Sequence, residues 1–158
     1  MVIGMKNGKF MISGDINIKT SDPTQGRNEL VLSVKAANAG IDAILWIDSD
    51  MVFPPHALVR LLGSGEDVIG CRYRKRQEEI SWVGREAEKG KWELGFGLMF
   101  TRMNIFERIP FPWFDAHYEG NIRISEDEDF CRKVNRIHRV ACDEELSREV
   151  FHLGMKRF

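Results

Sequence analysis

The stretch Ala43-Ile44-Leu45-Trp46-Ile47-Asp48-Ser49-Asp50 decides how this chain is read. Five apolar residues in unbroken succession suit a strand buried on both faces, as in a parallel sheet covered by helices. The run stops at two carboxylates, which puts Asp48 and Asp50 at the carboxyl end of the strand, where open α/β sheets bind their ligands. Alternate residues of an extended segment point the same way, so the two acids can converge on one hard cation or one polar ligand. A surface turn would use the same residue types, because Asp and Ser are common there.

Outward from this strand the pattern alternates. Ahead of it, Lys9 to Lys19 reads as a strand interrupted near Gly14, and Ser21-Asp22-Pro23 gives a turn or helix-start signal. From Arg27, Leu30, Val34, Ala37 and Ile41 recur at helical spacing, with Gly40 as a stop. Behind it, Pro54-Pro55 opens a short helix carrying Leu58, Leu61 and Leu62, and Asp67 to Arg72 reads as a second core strand. Ile80 to Val83 and Leu94 to Thr101 read as strands around a polar hairpin loop, Gly84 to Lys91. Met103 to Arg108 is a short helix stopped before Pro110, and Phe111 to Arg123 an aromatic loop. Ser125 to His138 is the clearest helix, and Val140 to Leu153 holds one or two strands. Strands alternating with helices predict an α/β fold with a mixed, mostly parallel sheet flanked by helices.

At 158 residues the chain fits one domain, 1–158, long enough to bury a core. Its formal charge of −1 offers no field to select nucleic acid, and no apolar stretch nears the roughly 20 residues a spanning helix needs. The start, Met1-Val2-Ile3-Gly4-Met5-Lys6, lacks the basic opening and long apolar core of a secretion signal. Cys71, Cys131 and Cys142 are odd in number and widely spaced, without a zinc or disulfide pattern. Reduced thiols and a cytoplasmic location are the expectation.

Three further segments carry chemistry. In Ser125-Glu126-Asp127-Glu128-Asp129-Phe130, a capping box of Ser125 with Glu128 explains two residues, and acids favour a first helical turn. Four consecutive acids repel one another unless a cation or a proton-accepting role offsets the cost, so Asp127 stands between a structural and a functional reading. His152, in Val150-Phe151-His152-Leu153-Gly154, is either a core side chain or an imidazole ligand suited to a borderline ion beside carboxylates. Gly95-Phe96-Gly97 permits a bulge or a close ligand approach. Arg72-Tyr73-Arg74-Lys75-Arg76 reads as a solvated strand end, and Trp113 and Phe114 as core, lid or a sugar-stacking surface.

The ordered set Arg27-Asn28, Leu45 to Asp50, Gly95-Phe96-Gly97, Trp113-Phe114, Ser125 to Cys131 and His152-Leu153-Gly154 resembles GT-A-type glycosyltransferases. It is closest to the family 2-like members of bacteria, phages and large viruses, over roughly residues 26 to 154. The resemblance implies a GT-A, nucleotide-diphospho-sugar transferase-like fold and metal-dependent transfer of a sugar from a nucleotide-sugar donor to an acceptor hydroxyl. That acceptor would be a glycan, a lipid-linked sugar or a protein. It implies Asp50 as a ligand of Mn²⁺ or Mg²⁺ under the donor diphosphate, Asp48 at the ribose or in the metal shell, and His152 as the late metal ligand. Arg27 would pair with donor phosphate oxygens. Asp127 would be the catalytic base. Glu126, Gly95, Gly97 and Trp113 match positions near the sugar or acceptor.

One departure from the family stands out. Only 26 residues precede Arg27, and they read as one strand where members carry a strand and helix that cradle the nucleotide base. The expectation is an amino-terminal truncation with an incomplete base pocket, and a bare sheet edge for a second copy or another partner to cover. Two rival functions follow: an inactive or accessory remnant of the fold, and a metal-dependent phosphoryl-transfer enzyme built on Asp48, Asp50, Asp127 and His152.

Overall fold

The computed structural model describes residues 3–6, 9–12, 21–37, 40–74 and 81–153. The expected strand beyond Gly14, Ile80, Lys75-Arg76 and Gly154 lie outside the described residues. In chain order the elements are β1 (Ile3–Lys6), β2 (Lys9–Ile12), α1 (Pro23–Ala36), β3 (Ala43–Ile47), β4 (Met51–Val52), α2 (Ala57–Gly63) and β5 (Val68–Gly70). Then come β6 (Tyr73–Arg74), β7 (Trp82–Val83), β8 (Arg85–Glu88), β9 (Lys91–Glu93), β10 (Leu98–Arg102) and α3 (Ile105–Arg108). Last are β11 (His117–Glu119), β12 (Ile122–Ile124), α4 (Glu126–Ile137), β13 (Ala141–Cys142), a 3₁₀ turn (Leu146–Arg148) and β14 (Phe151–His152).

The fold is mixed α/β, built on a six-stranded sheet of order β13-β5-β10-β3-β1-β2. The expected mostly parallel pairing is not what forms. Only β13 with β5 pairs in parallel, and the other four pairings are antiparallel. The cause is β10, inserted between β3 and β5 and running against both. Unbroken apolar sequence reports two-sided burial, which helices on both faces supply whatever direction the neighbouring strands run.

That two-sided burial is explicit in β3. Ile44 and Trp46 join one core cluster with Val31 and Val34 of α1, Phe106 of α3, and Phe130 and Val134 of α4. Ala43 and Leu45 join the other, with Ala57 and Leu61 of α2 and Leu146. Alternate side chains enter opposite cores, each fully buried large one contributing roughly 1.5–3 kcal/mol.

Helix boundaries follow their caps. The Asp22 side chain accepts from the Thr24 N–H at 2.9 Å and Pro23 takes the first helical position, so α1 begins a turn before Arg27. The expected capping box at α4 forms on one side, with Ser125 Oγ accepting from the Glu128 N–H at 3.3 Å. The polar Gly84 to Lys91 segment is itself mostly a hairpin, β8 with β9, turning at Gly90 with φ +73°. Phe111 to Arg123, expected as loop, contains the β11–β12 hairpin, which turns at Gly120 with φ +61°.

The amino-terminal residues depart from the single-strand expectation. They form a β1–β2 hairpin in which β1 pairs with β3, so the edge expected to be bare is covered by the chain itself. Among the described residues no helix is long and apolar enough to cross a membrane. Cys71, Cys131 and Cys142 are free thiols.

Topology sets the position of everything that follows. Because β10 is antiparallel to β3, its start lies at β3's end, with Leu98 opposite Ile47. Asp48, the Gly95–Gly97 turn and the residues after β5 therefore meet at one rim of the sheet.

Candidate active site

Arg27 is the hub of this rim. Its Nη1 donates to Glu126 Oε1 at 2.7 Å and to Asp127 Oδ1, and its Nη2 lies 4.0 Å from Asp48 Oδ1. The guanidinium sits 4.9 Å over the Phe96 ring and is only 14% exposed. Side chains from α1, the end of β3 and the first turn of α4 thus share one cation. The four consecutive acids are each ion-paired: Glu126 and Asp127 share Arg27, Glu128 meets Arg85 and Arg132, and Asp129 meets Lys133.

Asp127 is held from two sides. Its Oδ2 accepts from the Phe96 N–H at 3.2 Å while Oδ1 takes the Arg27 bond. Burial pushes its carboxyl up to about 6; Arg27 and the Phe96 N–H oppose that rise, whereas Glu126 and Asp48 reinforce it. A carboxylate poised near neutrality is suited to accept a proton.

Asp127 also lines a cleft of about 410 Å³, together with Trp82, Val83, Arg85, Glu93, Gly95 and Ser125. The volume lies within the range of small-ligand sites.

The metal candidates share the rim through backbone contacts. β14 pairs with β4, setting His152 opposite Met51, and the Leu153 N–H donates to the Asp50 carbonyl at 2.6 Å. The Asp48 N–H donates to the Gly97 carbonyl at 3.1 Å. His152 Nδ1 lies 3.0 Å from the Arg74 carbonyl oxygen, the contact by which a ligating histidine usually fixes its ring, leaving Nε2 for a ligand. Two carboxylates and an imidazole fit Mn²⁺ or Mg²⁺ by chemical type. Among the described residues, however, no three acidic, imidazole or thiol groups are gathered into a metal-binding cluster. Binding an ion would have to draw these side chains together.

Trp113 is held in the core. Trp113 is 5% exposed; its indole N–H donates to the Phe106 carbonyl at 2.9 Å, and its backbone N–H donates to Asn28 Oδ1 at 3.1 Å. Asn28 also donates to the Phe114 carbonyl, pinning the aromatic loop to α1 and burying Trp113 as core. Gly95 and Gly97 leave room for a protein side chain. A Cβ at 95 would stand 2.3 Å from the Tyr73 hydroxyl, and one at 97 would stand 2.7 Å from Tyr73 Cζ.

Sequence reasoning missed Tyr73, Trp82 and the Phe96 N–H. Trp82 was readable only as a strand residue. In the structure Trp82 lines the cleft, with the Arg72 and Arg74 guanidinium carbons 5.1 and 5.4 Å from its ring centroid.

No family model matches the chain, and no curated protein matches it. Among solved structures, it is similar to the crystal structure of A197 from STIV, with a TM-score of 0.58 and 16% identity. The match covers 88% of this chain and 81% of that one. At that identity the likeness is one of fold.

Proposed function

We propose that this domain is a glycosyltransferase that moves a sugar from a nucleotide-sugar donor to an acceptor hydroxyl. The observation that carries the reading is the convergence of Asp48, Glu126 and Asp127 on Arg27 at one sheet rim. It brings together three of the motifs by which the sequence resembles GT-A-type enzymes.

In this reading Asp127 takes the proton from the acceptor hydroxyl as it attacks the anomeric carbon. Arg27 has two tasks: it keeps Asp127 ionised in the resting site, and it turns toward the donor phosphates when they arrive. Trp82, rather than the buried Trp113, would meet the acceptor sugar in the cleft that Asp127 lines. Asp48, Asp50 and His152 would hold Mn²⁺ or Mg²⁺, which when bound would offset the charge developing on the leaving diphosphate.

Isothermal titration of nucleoside diphosphates with and without Mn²⁺ tests the reading. Mn²⁺-dependent binding that is lost in Asp50→Ala, together with donor turnover lost in Asp127→Asn, is the expected result. Absence of any Mn²⁺-dependent nucleotide binding would leave a non-catalytic domain of this fold instead.

A further inference from the structure

The Gly95-Phe96-Gly97 turn touches both acidic arms of the site. The Phe96 N–H donates to Asp127, and the Gly97 carbonyl accepts from the Asp48 N–H. What fills the space beside both glycines is one phenol. The Tyr73 ring is 4% exposed, and its hydroxyl accepts from the Gly97 N–H at 3.2 Å. On its other side the ring meets His152 edge to face, with centroids 4.9 Å apart and planes at 87°. Tyr73 is anchored by the pairing of β6 with β7, where it lies opposite Val83.

We infer that Tyr73 is a positioning residue: its ring and hydroxyl fix the turn that spaces Asp127 from Asp48, and tie the position of His152 to both. The two glycines exist for this phenol rather than for a substrate. A Cβ at Gly95 would also come within 2.7 Å of Val83 Cγ1, and one at Gly97 within 2.9 Å of Met51 Sδ, so the turn fits only against this surround. The inference rests on the glycosyltransferase reading only for what Asp127 and Asp48 do; the mechanical linkage stands without it.

Tyr73→Phe removes one oxygen and keeps the ring. The expected result is a protein that stays folded but whose Asp127 carboxyl, followed by carbon NMR, titrates at higher pH than in the wild type. The reason is that the Phe96 N–H bond that stabilises the carboxylate loosens. The other charges facing Asp127, namely Arg27 of α1, Glu126 of α4 and Asp48 after β3, are untouched by the substitution. The Phe96 and Asp48 amide signals should move with it. If transfer is detected, kcat should fall roughly 10- to 100-fold while nucleotide affinity stays put.

A second variant guards against a purely local effect. Gly95→Ala should lower the urea midpoint sharply, and adding Tyr73→Phe should recover part of that loss. An Asp127 titration unchanged in Tyr73→Phe, or a double variant no more stable than Gly95→Ala, would overturn the inference. Wild-type protein without nucleotide binding would instead overturn the enzyme reading and leave the NMR result to be read on its own.

Discussion

Arg27 and Asp127 lie 100 positions apart in the chain and share a direct ion pair, with Asp127 22% exposed and Arg27 14%. The pair opposes the desolvation that raises the Asp127 carboxyl, so its consequence is a setting of pH dependence as much as of stability.

Replacing Arg27 with Met should move the acidic limb of the transfer rate upward from about 6. The direction follows from the base role: Asp127 works only when ionised, Arg27 favours the ionised form, and losing it holds the proton to higher pH. The variant should therefore lose more activity at pH 6 than at pH 8. A kcat/KM profile checks this, and a limb that stayed in place would detach Arg27 from the base.

The same group limits stability. An ordinary aspartate titrates near 3.8, and the native value is about 6, so the folded state holds the proton more tightly than the unfolded one. Stability therefore falls as pH rises from about 4 to about 6, by up to about 3 kcal/mol, and below about 4 the penalty vanishes. Asp127→Asn should stabilise the protein by roughly 1–2 kcal/mol at pH 8, after loss of the charged bonds to Arg27, with the gain gone by pH 4. Urea unfolding at both pH values measures it. Destabilisation at pH 8 would mean the ion pair outweighs the desolvation cost.

What the sequence made legible was local. The β3 run and its two terminal acids, and the Ser125 cap of α4, depend on neighbours within a few residues, and all appear where expected. Strand direction was not legible. An alternating or continuous apolar strand has the same period whichever way its partner runs, so Leu98 to Arg102 gave no sign of lying between β3 and β5. Nor was the purpose of Gly95 and Gly97 readable, since the phenol they accommodate belongs to Tyr73, 24 positions before Gly97. Nor could the sequence decide between core and sugar-stacking for Trp113, or show that Trp82, read as a strand residue, lines the cleft. An indole has the same composition in a core and in a cleft, and only Asn28, fastening the Trp113 loop to α1, separates the two cases.

That distinction has its own test. Trp82→Ala should raise the acceptor KM roughly three- to tenfold and leave the urea midpoint nearly unchanged, because a half-buried cleft indole contributes stacking more than packing. Trp113→Ala should cost roughly 3–5 kcal/mol of stability, and any protein that still folds should keep its acceptor KM. The opposite pairing of effects would return the sugar-facing role to Trp113.

Trp46 connects core to site most directly. It sits two residues before Asp48, is 8% exposed, and packs edge-on against Phe96 and Phe114 with centroids 5.3 and 5.5 Å away. Its indole nitrogen has no hydrogen-bond partner among the described residues. Trp46→Ala should therefore cost roughly 3–5 kcal/mol through the cavity it leaves. Trp46→Phe should cost under about 1.5 kcal/mol, since the lost ring volume is offset by removing a buried N–H that has nothing to bond. Because Phe96 carries the N–H that holds Asp127, the alanine variant should also lower transfer beyond what its unfolded fraction explains. Chemical unfolding of both variants decides the case: a phenylalanine variant as unstable as the alanine one would show that the lost ring volume outweighs the relief of the unbonded N–H.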